Sequence, residues 1–78
     1  MRIAEVKPNK NYTLQIISED GDIGIFDVSP YLEFEAFSDL KDQEAFQRII
    51  NGGYFVEWDC GADLSADTIE AHLKITQR

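Results

Sequence analysis

The sequence predicts a small α+β domain: a mainly antiparallel sheet of four to five short strands with two helices packed against it, forming one domain over residues 1–78. Four stretches carry that prediction. Tyr12 to Val28 reads as two strand-like runs on either side of Glu19-Asp20-Gly21-Asp22, and an Asp-Gly pair between such runs is a strong short-range hairpin signal. Tyr54 to Ser65 reads as a strand, a sharp turn at Gly61 and a helix start, and it holds the only Trp and the only Cys of the chain. Two further stretches show helical spacing behind a capping residue, Asp42 for the first and Ser65 for the second.

In chain order, Arg2 to Lys7 is a first short strand, ended by Pro8, Asn9, Lys10 and Asn11. In the hairpin, Tyr12, Leu14 and Ile16 alternate with Thr13, Gln15 and Ile17, and the return strand runs from Ile23 to Val28. The favoured two-residue turn asks for positive φ at both central positions. Asp27 is placed to accept from backbone N–H groups of the turn that follows. Ser29-Pro30 stops the sheet and suits the N-cap and first position of a short helical turn, with Tyr31 and Leu32 beneath it. Glu33 to Asp39 is expected to cross one end of the sheet and bury its phenylalanines.

Phe46, Ile49 and Ile50 fall at i, i+3 and i+4, so the helix begun at Asp42 is expected to run to Asn51-Gly52-Gly53. In the strand that follows, Tyr54, Val56 and Trp58 share one apolar face, the expected floor of the core, opposite Phe55, Glu57 and Asp59. The last helix is expected from Ala66 to about Thr76, with Ala66, Ile69 and Leu73 on one stripe. Asp67 and Glu70 early in it, and Lys74 and Arg78 near its end, would suit the helix dipole.

Composition narrows the function. The chain is 44% hydrophobic with nine aromatic residues, enough for a core, yet short enough that the core supplies only about 3 to 5 kcal/mol of net stability. One Cys allows no internal disulfide, no leader or membrane-span pattern is visible, and a cytoplasmic location is expected. Fifteen acids against seven bases give a net charge of -8, which repels phosphate backbones and argues against direct nucleic-acid binding. The segment from Glu19 to Glu44 holds nine acids and one base, Lys41, so its carboxylates, Glu19, Asp20, Asp22, Glu33 and Glu35 among them, are the candidate surface for a basic partner.

No catalytic constellation emerges, and an enzyme is not expected. Cys60 has acids for neighbours, which oppose a thiolate. His72 has no second His, and two residues from Glu70 it does not share that residue's helix face. Glu57 and Asp59 point to one side of their strand, with Asp63 across the turn at Gly61; these three are the candidate ligands for a divalent metal, although they lack the spacing of an EF-hand loop. No cofactor is expected.

The order of pieces resembles the family called domain of unknown function 2442. The resemblance rests on the hairpin turn E-D-G-D, the segment F-D-V-S-P-Y-L, the helix D-Q-E-A-F and the strand running into W-D-C-G-A-D-L-S, and it spans Ile3 to about Ile69. It implies a small bacterial α+β domain without an established activity. It also implies a setting in which the domain is sometimes joined to a C-terminal helix-turn-helix and often encoded beside another small protein, as toxin–antitoxin pairs are. The expected helix beyond Ile69 departs from that pattern and stands as a candidate dimer element. With the chain ending at Arg78 and no DNA-binding domain expected, a regulatory role would run through a partner. The favoured function is therefore a protein-protein interaction or regulatory module, binding a protein partner or itself as a homodimer and standing as one member of a toxin–antitoxin-like pair. The alternative is a small metal- or ligand-binding protein using Glu57, Asp59 and Asp63. A DNA-mimicking acidic protein is allowed by charge, but no patterned spacing supports it.

Overall fold

The computed structural model of the chain describes residues 1–77, and they form an α+β domain of two antiparallel sheets and two short helices. Strand β1 (Ile3–Pro8) pairs with β2 (Thr13–Ser18), and β2 pairs with β3 (Ile23–Asp27) in the register Leu14 opposite Phe26 and Ile16 opposite Gly24. The alternation of β2 puts Leu14, Ile16 and Ser18 inside and leaves Thr13, Gln15 and Ile17 half-buried on the outer face.

The hairpin turn differs from the two-residue form. Only Gly21 has positive φ; Gly21 N–H donates to the Ser18 carbonyl, and Ser18 N–H donates to the Asp22 carbonyl. This is the three-residue loop closed by a left-handed glycine, which leaves Asp20 in an ordinary conformation. The same turn recurs after the strand β5 (Phe55–Trp58): Gly61 N–H donates to the Trp58 carbonyl, Trp58 N–H donates to the Ala62 carbonyl, and Gly61 has the same φ of 94° as Gly21. Equivalent turns make equivalent hairpins. Asp63–Ser65 accordingly returns as a strand, β6, before the second helix begins.

Asp27 Oδ1 accepts from both the N–H and the hydroxyl of Ser29, as the sequence led us to expect. With its hydroxyl so engaged, Ser29 is no N-cap; it is the first residue of a 3-10 turn over Ser29–Glu33, whose N-cap position is Val28. A second 3-10 turn, Glu35–Lys41, buries Leu40 and half-buries Phe37, whereas Phe34 between the two turns is exposed rather than buried.

Helix α1 (Gln43–Gln47) begins as expected, with Asp42 accepting from Glu44 N–H, but it stops well short of Asn51. In a longer helix the Phe46 carbonyl would accept from Ile50 N–H. Here it accepts instead from the Trp58 indole Nε1 at 2.9 Å, and Ile49–Asn51 becomes strand β4, with Ile49 opposite Trp58 and Asn51 opposite Val56. Helix α2 (Ala66–His72) is capped by Ser65, whose Oγ accepts from Thr68 N–H. It too ends early. Leu73 is extended at φ -72°, ψ 130° and packs onto Gly24, where a Cβ would lie 2.7 Å from its Cγ; Lys74–Gln77 then forms β7 against β3. The expected extended last helix is thus a strand that completes the four-stranded order β1-β2-β3-β7, and Arg78, assigned to that helix, lies outside the described residues.

The second sheet has the order β4-β5-β6 and meets the first at β1: Ile3 N–H donates to the Gly53 carbonyl at 2.7 Å, and Asn51 Nδ2 donates to the Ile3 carbonyl at 3.0 Å. Between them lies the core, with Leu14, Ile16, Phe26, Val28, Leu40, Phe46, Val56 and Ile69 fully buried. Trp58 sits among its aromatics, stacked on Phe46 at 5.9 Å between centroids and met edge-on by Phe37 at 6.3 Å. Among the described residues, no helix is long and apolar enough to cross a membrane.

Candidate interaction face

Burying Val56 and Trp58 on one side of β5 and Leu64 on β6 obliges their neighbours to face solvent, because side chains alternate along a strand. Ile50, Glu57 and Asp63 stand side by side across the three strands, and Phe55 stands opposite Ser65 in the next row. All five are exposed, with Ile50 at 55% and Phe55 at 42% of full accessibility. Tyr54, just before β5, is exposed at 63% and was misplaced by its parity: it lies outside the core, with the Arg2 guanidinium 5.2 Å above its ring. Of the four large exposed hydrophobic side chains, Ile50, Tyr54 and Phe55 therefore belong to one hairpin, and Phe34 stands elsewhere.

The carboxylates singled out from sequence are distributed over this frame. Glu57 and Asp63 are direct cross-strand neighbours on the solvent face, where like charges repel. Asp59 lies beyond the end of β5 in the Gly61 turn, beside Cys60, and both line an open hollow with Asp39, Asp42 and Arg48. Among the described residues, no group of three His, Cys, Asp or Glu side chains is placed to hold a metal ion, so Glu57, Asp59 and Asp63 are not gathered into a ligand set.

The acidic stretch from Glu19 to Glu44 is split by the hairpin. Glu19, Asp20 and Asp22 belong to the turn at one end of β3, while Glu33 and Glu35 follow its other end. Glu19 also has a partner within the chain, Arg2 Nε at 3.4 Å. Arg2 thus joins the hairpin turn to the Tyr54 ring. Cys60 is a free, exposed thiol, and His72 is an exposed residue in the last turn of α2.

At the other edge of the domain the Met1 ammonium lies 2.9 Å from Glu70 on α2. The hydrogen bond and charge of Glu70 raise its pKa above the ordinary 8.0, aided by Asp67 and Asp20 and opposed by desolvation.

Ile50 was not identifiable as a surface residue from the sequence, because it completed a helical stripe with Phe46 and Ile49, whereas the alternation of its strand already set Phe55 opposite the core face. The usable signal was the pair of equivalent glycine turns, since a second hairpin implies a second sheet with a solvent face.

No curated protein and no solved structure matches the chain. A family model described as "Protein of unknown function (DUF2442)" matches residues 3–74 of the 78, from the first residue of β1 to the first of β7. The chain belongs to that family of proteins of unknown function.

Proposed function

We propose that the chain is a protein-protein interaction module that docks a protein partner on the solvent face of the β4-β5-β6 sheet, in the manner of the acidic member of a toxin–antitoxin-like pair. One observation carries the reading: among the described residues, three of the four large exposed hydrophobic side chains, Ile50, Tyr54 and Phe55, belong to a single hairpin, with Ile50 and Phe55 on its solvent face. Large apolar side chains left exposed on a small domain cost solubility, and patches of them mark interaction sites. The net charge of -8 offsets that cost in the free protein. Self-association through this face is disfavoured, because it would bring two copies of Glu57 and Asp63 together.

The test is capture of partners on the tagged full chain and on the double variant Ile50→Thr/Tyr54→Ser, with bound proteins identified by mass spectrometry and stoichiometry set by light scattering. The expected result is one protein held stoichiometrically by the parent chain and lost from the variant, whose circular dichroism is unchanged. A partner retained equally by both, or none retained by either, overturns the reading.

A further inference from the structure

Resting on the interaction reading above, we infer that the segment seated on this face is an extended, basic and apolar one, with Lys or Arg alternating with aliphatic side chains. The charge on the face is uncompensated. Among the described residues, neither Glu57 nor Asp63 takes part in an ion pair, while Arg2 is directed to Glu19 and Arg48 to Glu44. Glu57 and Asp63 are nevertheless held directly opposite one another, a pairing that repels until a cation stands between or above them.

Apolar ground adjoins the pair. Ile50 is the next residue in the same cross-strand row, and Phe55 precedes Glu57 by two positions on the same face of β5. In an extended segment, side chains on one face repeat about every 6.6 Å, and cross-strand neighbours stand about 5 Å apart. A cationic side chain over Glu57 and Asp63 therefore puts the next same-face side chain of that segment within reach of Phe55 or Ile50. The charge complementarity selects the occupant: a phosphate backbone is repelled, and a second copy of this chain presents the same two carboxylates.

The experiment titrates the isotope-labelled full chain with two synthetic peptides, one alternating Lys and Val and one alternating Lys and Ser, while monitoring backbone amide shifts. Expected are shifts centred on Ile50, Phe55, Glu57 and Asp63. Affinity for the Lys-Val peptide should be about tenfold or more above that for the Lys-Ser peptide, and it should fall with added salt. In the double variant Glu57→Gln/Asp63→Asn, binding should weaken about tenfold while Ile50→Thr also weakens it. Equal binding of the two peptides, shifts confined to the Glu19–Asp22 turn, or sedimentation showing a dimer that buries this face would overturn the inference. The two readings fail separately: a captured partner that depends on Ile50 and Tyr54 but tolerates Glu57→Gln/Asp63→Asn leaves the interaction module standing and removes the basic segment.

Discussion

The ring of Phe55 occupies the space beside Gly52, so close that a Cβ added to Gly52 would sit 2.3 Å from its Cζ. The two are cross-strand neighbours at the start of the β4–β5 hairpin, where Gly52 N–H donates to the Phe55 carbonyl at 2.8 Å. An aromatic ring that covers a cross-strand glycine shields a bare stretch of sheet from water, which gives Phe55 a structural task alongside its exposed face. The substitution Gly52→Ala is expected to cost about 0.5–1.5 kcal/mol by turning the partly exposed ring off its rotamer. In a Phe55→Ser background the same substitution should cost little, because nothing then opposes the methyl group. A double-mutant cycle by urea denaturation measures the coupling, and additive effects would show that the ring is not held there.

A second consequence follows from the bond between Trp58 and Phe46. The indole N–H occupies the carbonyl that would otherwise continue α1, and both residues are buried. Trp58→Phe keeps an aromatic ring but leaves the buried Phe46 carbonyl unpaired and a void beside it. The expected loss is about 2–4 kcal/mol, comparable to the whole net stability of a domain this small. Because the variant has no Trp, the transition is followed by far-ultraviolet circular dichroism. A variant that melts within a few degrees of the parent would show that the bond does not determine where the helix ends.

That bond also explains which parts of the fold were legible in advance. The strand pairing of the first hairpin, the caps at Asp42 and Ser65 and the Asp27–Ser29 turn are local, and each stands as the sequence implied, apart from the extra residue in the hairpin turn. Strands β4, β6 and β7 are three, three and four residues long, too short to carry a pattern of their own, and each is fixed by the strand it pairs with, β7 by β3 from the other half of the chain. Ile49 and Ile50 complete a helical stripe on paper, yet Trp58 from the next strand takes the helix's hydrogen bond and pairs with Ile49. Ile75 and Thr76 sit at the end of a helical pattern, yet the edge of β3 recruits them, with Thr76 Oγ1 donating to the Ile23 carbonyl at 3.1 Å. The candidate face inherits the same difficulty, since Ile50 is a surface residue only once β4 is a strand. Its acidic half was visible because the alternation in β5 placed Glu57 on the side away from Val56 and Trp58 without reference to any partner.

The Met1–Glu70 pair makes stability depend on pH in a defined direction. The Met1 side chain packs against the core, and its ammonium lies beside Glu70, whose hydrogen bond and charge raise the amine's pKa in the folded chain above the ordinary 8.0. A group whose folded pKa is raised binds its proton more tightly when folded, so its contribution is fully present below the unfolded value near 8 and is lost as pH rises through the higher folded value. The melting temperature of the chain beginning at Met1 is therefore expected to fall, relative to that of the Glu70→Gln variant, as pH rises above about 8. Below about pH 7 the Met1 amine is protonated in both the folded and the unfolded chain and adds no further change to the gap. Asp67 and Asp20 also attract the ammonium, so the variant should retain a smaller slope of the same sign. Parallel melting curves for the two proteins as pH rises would show that Glu70 does not hold the amine in solution.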